Sequence, residues 1–115
     1  MISEFTRTAV PQLVSHELKF SKSQHEEKFH SLHEAESVIR EELEELEEQA
    51  ESCKQFFEDL HSYTRQDDEE GAVVNAKYLA GSAVYAAYEA IQLAAMCEKL
   101  VEMSDELDDA LGVRK

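Results

Sequence analysis

Helix-breaking residues are scarce in this chain, and that scarcity constrains its fold more than any other feature. One proline and three glycines are spread over 115 residues. No segment alternates apolar and polar side chains in the way that a half-buried β-strand does. Proline and glycine most often end regular structure, so long helices joined by few connections are expected. The sequence therefore predicts an all-α fold.

Length and charge limit the domain count and the classes of partner. A chain of 115 residues can bury roughly two-thirds of its unfolded surface around one core, so we expect a single domain over residues 1–115. Twenty-six acidic and 11 basic side chains give a formal net charge of −15. This charge repels nucleic-acid phosphates and anionic membranes, and the scattered Lys and Arg residues form no basic patch. We expect neither partner.

Cysteine use and the first residues favour a reducing, cytoplasmic environment. The two cysteines, Cys53 and Cys97, have no C-x-x-C spacing. The start of the chain lacks the basic residues and the apolar run of a signal peptide. The apolar segment 78–97 contains Glu89 and Gln92 and is rich in alanine, so we interpret it as a buried helix and not as a membrane span.

Proline and capping patterns indicate where the first two helices begin. Pro11 suits the first turn of a helix, so the first helix is expected to begin near it. Ser23–Glu26 and Ser31–Glu34 both match the S-x-x-E capping box, in which the two side chains satisfy free amides at a helix start. The second helix is expected to begin at one of these two boxes.

The rest of the chain divides at an acidic, glycine-closed segment. We predict a long helix over about residues 31–63, an acidic loop over about 65–71 and a buried helix over about 72–103. Ser104 suits the N-cap of a short last helix, and Gly112 would end that helix.

A heptad pattern on the second helix predicts helix packing. Apolar residues recur there in alternating steps of three and four, at Phe29, Leu32, Glu36, Ile39, Leu43, Leu46, Ala50, Cys53, Phe57 and Leu60. Glu36 is the one acid in this seam, and we expect it to pair with a basic residue or to fix the register of an assembly. The third helix is rich in small residues that allow close approach. An isolated three-helix monomer would leave much apolar surface in water, so we predict a bundle completed by oligomerisation.

Acidic residues on the second and third helices are candidate metal ligands. Glu42 and Glu45 are three residues apart, so their carboxylates lie on one helix face and could share a hard cation such as Mg²⁺. Glu89 is an acid in a nearly uncharged helix, so it should be protonated, paired or bound to metal. Gln92, one turn further on, offers another oxygen. The alternative is a solvated acidic face with Glu89 satisfied as a structural residue.

The same residues carry a resemblance to a known family. His33-Glu34-Ala35 leads into the acidic run 41–46, and the segment 88–96 follows on the third helix. This combination resembles the MazG-like all-α nucleoside triphosphate pyrophosphatases, in particular their divergent phage and prophage versions, over roughly residues 33–102. The resemblance implies an antiparallel helical bundle that hydrolyses an NTP or dNTP to the monophosphate and pyrophosphate. It also implies Mg²⁺, or Mn²⁺, held by E-E-x-x-E on one helix and E-x-x-D on another.

The resemblance also implies roles for individual residues. Glu42, Glu45 and Glu89 would bind the metal, and Gln92 stands where the family has an aspartate, which removes one negative charge from the ligand set. Glu41 or Glu42 would orient the attacking water. Possible phosphate partners are Arg40, Lys54 and Lys77. Members of the family are homodimers or homotetramers.

A non-enzymatic protein is the main alternative. In this interpretation the chain is a helical assembly or regulatory protein, and its acidic face binds a partner. The glutamine at position 92 favours this alternative, because it weakens cation binding. Mg²⁺-dependent effects of a nucleotide on thermal stability would distinguish the two interpretations.

Overall fold

The computed structural model of the chain describes residues 1–112, apart from the side chains of residues 106–111. It contains three α-helices, α1 (Glu4–Gln24), α2 (Leu32–Arg65) and α3 (Glu69–Leu111), and no strand among the described residues. The predicted all-α class is confirmed. None of the described helices combines the length and the hydropathy needed to cross a membrane.

Helix α1 begins upstream of the predicted start. The Ser3 side chain caps it by accepting a hydrogen bond from the Thr6 backbone N–H at 3.2 Å. The prediction of a start near Pro11 is wrong, because Pro11 lies inside the helix. A proline at this position removes one N–H from the helical hydrogen bonds. The serine cap, with Glu4 in the first turn, fixes the earlier start.

Helix α2 uses the second of the two predicted capping boxes. The Glu34 backbone N–H donates to Ser31 Oγ, and Glu34 Oε1 accepts from the His30 backbone N–H, both at 3.1 Å. Ser23 instead lies in the last turn of α1, where its hydroxyl donates to the Phe20 carbonyl at 2.6 Å. The start at Ser31 is confirmed, and α2 ends at Arg65, close to the predicted end.

The connection between α2 and α3 is shorter than predicted, at residues 66–68. Asp67 adopts a left-handed conformation with φ 53°, and Asp68 Oδ1 accepts from the Gly71 backbone N–H at 2.9 Å. Gly71 therefore lies in the first turn of α3 and does not close the loop. A Cβ atom at Gly71 would overlap the Tyr63 ring, so glycine permits this close approach.

Helix α3 continues through the predicted last helix. It runs unbroken from Glu69 to Leu111, and Ser104 lies inside it, so the prediction of a separate short helix is wrong. Residues 82–111 contain neither glycine nor proline, and a serine alone does not interrupt a helix. Gly112 follows the last turn with φ 71°, which confirms it as the helix stop.

The chain forms two compact units, and their boundary passes through α2 after Glu42 and through α3 after Ala90. The first unit contains α1, the beginning of α2 and the later part of α3. Its core draws on all three helices and on the α1–α2 connection: Val14, Leu18, Phe29, Ala35, Ala95 and Met96. This unit has the packed interior that a small helical domain requires.

The second unit, Leu43–Ala90, consists of the rest of α2, the connection and the beginning of α3. All its residues are described, and Asn75 is the only buried one; its side-chain amide donates to the Gly71 carbonyl at 2.9 Å. Large apolar side chains are exposed at Leu43, Phe57, Val73, Val74, Tyr78, Val84, Tyr85 and Tyr88. The expected burial of the third helix is therefore wrong for this part of the single chain. These parts of α2 and α3 cannot bury all of each other's apolar surface without a third helix.

The packed face of α2 includes Ile39, Leu46, Cys53 and Leu60 of the predicted heptad seam, but the other seam positions of this helix are exposed. Leu43 and Phe57, both in the seam, are 43% and 55% exposed. Glu36 is also exposed, and its Oε1 accepts from Arg40 at 2.6 Å, so the expected pairing with a basic residue is confirmed. The buried and half-buried positions of α2 are Glu34, Ala35, Val38, Ile39, Glu42, Glu45, Leu46, Gln49, Ser52, Cys53, Phe56, Leu60 and Tyr63.

Candidate metal centre

Three carboxylates from α2 and α3 form a cluster that could hold a metal ion. Glu42, Glu45 and Glu89 each offer one carboxylate oxygen, and the three oxygens lie within 4.8 Å of one another. All three side chains are half-buried. The structure thus brings together the three acids that the sequence suggests as metal ligands. In the part of the chain that the structure describes, no other cluster of three or more acidic, histidine or cysteine ligands is found.

Helix geometry explains why the two α2 acids lie on the same side. A spacing of three residues places Glu42 and Glu45 on adjacent turns of one face. Both acids lie on the packed face of α2, together with Ile39 and Leu46 of the heptad seam. Glu42 and Glu45 are therefore half-buried, whereas Leu43, which lies between them in the sequence, is exposed.

Glu89 lies in an environment that is unfavourable for a charge. Its Oε2 atom is buried and has no hydrogen bond partner among the described residues. Burial raises the pKa of Glu89, a hydrogen bond with the Glu45 carboxyl raises the pKa further, and the negative charges of Glu45 and Glu48 add to the effect. An ionised carboxylate offers no donor, so a hydrogen bond between two carboxyls requires a shared proton. A divalent cation would replace that proton and relieve the repulsion.

The donor set fits a hard divalent cation. Three carboxylates provide only oxygen atoms and a charge of up to −3, a donor set that suits a hard divalent cation. The unpartnered Oε2 of Glu89 supplies an acceptor that a cation would satisfy. Mg²⁺ commonly takes one or two carboxylates, several waters and substrate phosphates, so three glutamates suffice without a fourth acid.

Glu41 and Gln92 lie beside a cavity in the first unit. The cavity has a volume of about 900 Å³ and is bounded by α1, the α1–α2 connection, α2 and α3. Glu41, Glu42 and Gln92 line it, and both Glu41 and Gln92 are exposed. A volume of this size lies within the range of small-molecule sites. The residues suggested for water activation thus border a space that could hold a substrate.

The basic residues suggested by the sequence are not gathered at this cavity. Arg40, Lys54 and Lys77 are exposed, and Arg40 is engaged by Glu36. None of the three lines the cavity. Lys99, which sequence reasoning missed, does line it and is only 6% exposed. The available signal was its place in the apolar stripe of α3, with Ala95, Met96, Leu100 and Met103 at helical spacing.

Comparisons with known protein families, curated proteins and solved structures find no match to this chain. The resemblance to the MazG-like pyrophosphatases therefore rests on the short acidic motifs of α2 and α3.

Proposed function

We propose that the protein is a divergent MazG-like, Mg²⁺-dependent pyrophosphohydrolase that converts a nucleoside or deoxynucleoside triphosphate to the monophosphate and pyrophosphate. The cluster of Glu42, Glu45 and Glu89 carries the proposal. Three carboxylates on two helices match the part of the family pattern that holds the metal. Mn²⁺ is an alternative cofactor with the same ligand preference.

The chain's own residues have distinct tasks in this reaction. Glu42, Glu45 and Glu89 would hold the cation, which would neutralise phosphate charge and lower the pKa of water. Glu41 borders the cavity next to Glu42, and either carboxylate can orient the attacking water and accept its proton. Gln92 lines the same cavity, where its amide contributes a neutral oxygen in place of the family's aspartate.

The assembly and location that we propose follow from other features. The exposed apolar side chains of the second unit suit a homodimer or homotetramer, because contacts between subunits would remove them from water. Cys53 and Cys97 are both free, which suits the reducing cytoplasm.

Turnover of a nucleotide panel tests the proposal. The purified protein is mixed with each NTP and dNTP and with Mg²⁺ or Mn²⁺, and release of monophosphate and pyrophosphate is quantified. Glu45→Gln should lower the rate by roughly 100-fold or more, since a ligand carboxylate is lost at the metal. Glu58→Gln, which removes one exposed charge from the same helix, is the matched control and should retain the wild-type rate. Wild-type protein that releases no pyrophosphate from any nucleotide would contradict the proposal.

A non-enzymatic helical assembly or regulatory protein is the second candidate. The neutral Gln92 favours this second candidate, because a weaker ligand set lowers cation affinity. The exposed apolar side chains of the second unit also suit a protein partner. Thermal unfolding with Mg²⁺ and a nonhydrolysable nucleotide separates the two candidates. Ligands that bind the folded enzyme raise its melting temperature, whereas such an assembly shows no nucleotide-dependent shift.

A further inference from the structure

Lys99 is a buried cation on the wall of the cavity in the first unit. It is 6% exposed, and its ammonium donates to the Glu26 backbone carbonyl at 3.0 Å. The same nitrogen lies 4.5 Å from the centroid of the Phe29 ring. Removing an ammonium from water is costly unless an anion or several hydrogen bond acceptors replace that water. This lysine is therefore in an unusual position.

The partners of Lys99 satisfy only part of its bonding capacity. An ammonium has three N–H donors, and one hydrogen bond acceptor is found for it in the part of the chain that the structure describes. A cation–π contact attracts the ammonium, but the ring is not a hydrogen bond acceptor for its remaining N–H groups. None of the salt bridges found among the described residues involves Lys99. Donors remain for an anionic ligand in the cavity.

The charge of the cavity wall restricts which anion can enter. Besides Lys99, the wall carries Lys28 and five glutamates, Glu17, Glu26, Glu34, Glu41 and Glu42, so its net negative charge repels a free anion. An anion that carries its own divalent cation avoids this repulsion, because the cation faces the carboxylates while the anion faces the ammonium. A polyphosphate chelated to Mg²⁺ has this distribution of charge.

We propose that Lys99 is a substrate-binding residue that holds a phosphate group of a metal-complexed triphosphate in this cavity. The inference rests on the function proposed above and identifies its main phosphate contact. It assigns that role to Lys99 and not to Arg40, Lys54 or Lys77, which are exposed and lie away from the cavity wall. A buried ammonium attracts a phosphate more strongly than an exposed one does, because water screens its charge less.

A purely structural role for Lys99 makes a different prediction. In that role the ammonium holds the α1–α2 connection through Glu26 and Phe29, and its removal would lower stability without a separate effect on ligand affinity. Affinity and stability must therefore be measured on the same variants.

Calorimetric titration with inorganic tripolyphosphate in the presence of Mg²⁺ makes the test independent of the base and the sugar. Lys99→Met should weaken tripolyphosphate binding by roughly tenfold to a hundredfold, the effect of one charge-assisted hydrogen bond. Lys99→Arg keeps the positive charge and should retain most of the affinity. Lys19→Met, at an exposed lysine of α1 outside the cavity wall, is the matched control and should bind as the wild type does.

Titration with Mg²⁺ alone separates failure of this inference from failure of the proposed function. If Lys99→Met binds Mg²⁺ and tripolyphosphate as the wild type does, the assignment of Lys99 is overturned and the metal centre stands. If wild-type protein does not bind Mg²⁺, the proposed function is overturned and this inference with it.

NMR spectra of the wild-type protein test the assignment even if Lys99→Met does not fold. With ¹³C-labelled lysine side chains, the ε-methylene signal of Lys99, assigned through Lys99→Arg, should shift when Mg²⁺ and tripolyphosphate are added. The Lys54 and Lys77 signals should not move. A Lys99 signal that stays in place while the ligand binds elsewhere would overturn the assignment.

Discussion

The two units of the chain stabilise themselves in different ways. The first unit buries apolar side chains from three helices around Ala35 and Ala95, which are fully inaccessible to water. The second unit has two helices and a single buried residue, the polar Asn75. A third helix is thus what allows the first unit to close a core. A helical pair that lacks one leaves apolar faces available for another molecule.

Equal truncations in the two units should have unequal effects, and this is the largest difference that we expect. Leu18 is 6% exposed in the first unit, whereas Leu43 is 43% exposed in the second. Leu18→Ala should lower the free energy of unfolding by about 2–4 kcal/mol, because it removes buried contacts and leaves a cavity. Leu43→Ala should cost less than about 1 kcal/mol in dilute protein. Urea unfolding of both variants measures the difference, and equal losses would contradict the comparison.

Much of the fold follows from local sequence signals. The scarcity of glycine and proline predicts the all-α class, and Ser31 with Glu34 gives the start of α2. The Pro11 and Ser104 predictions fail because each assigns a boundary to a residue that a helix can also contain. Helix ends depend on competing caps, and Ser3 is the cap that forms in α1.

The candidate site could be predicted in part. The spacing of Glu42 and Glu45 follows from helix geometry, and the lone charge of Glu89 marks an acid that needs a partner. The apolar stripe around Lys99 indicates that this residue is buried, but not which groups it contacts. Its burial depends on the Glu26 carbonyl and the Phe29 ring, both more than 65 residues away in sequence, and a single lysine in an apolar stripe does not reveal such contacts.

A charge on the exposed face of the second unit should break the proposed oligomer. Phe57 is 55% exposed and lies in the heptad seam of α2, turned away from the packed face. If subunits meet there, Phe57→Glu places a charge in an apolar contact and should weaken association by roughly tenfold to a hundredfold. Analytical ultracentrifugation across a concentration series measures this change.

A matched variant in the first unit shows whether the effect is local. Leu13 on α1 is also about half exposed, and Leu13→Glu should leave association unchanged if only the second unit self-associates. Wild-type protein that sediments as a monomer at every concentration would remove the homo-oligomer from the proposal. The exposed apolar face of the second unit would then have to suit a different partner.

The smallest expected effect concerns Glu89 and depends on pH. Burial and the neighbouring Glu45 raise the pKa of Glu89, so the folded chain holds this proton at pH values where the unfolded chain has released it. Below the ordinary pKa of a glutamate both states are protonated and the folded state carries no penalty. As the pH rises from that value through the raised folded pKa, stability contributed by Glu89 is lost.

Glu89→Gln cannot ionise and should therefore be more stable than the wild type at neutral pH without metal. The gain should be about 0.5–1 kcal/mol, the scale of one neutral hydrogen bond, and should vanish at acidic pH. Glu58→Gln, at an exposed site, is the control: it measures how much stability is gained simply by removing one negative charge from the chain. Mg²⁺ should reverse the order, because it stabilises the wild-type carboxylates and the amide removes a ligand. Thermal unfolding at several pH values, with and without Mg²⁺, measures both differences. A variant whose advantage is independent of pH would show that the burial of Glu89 does not oppose its charge.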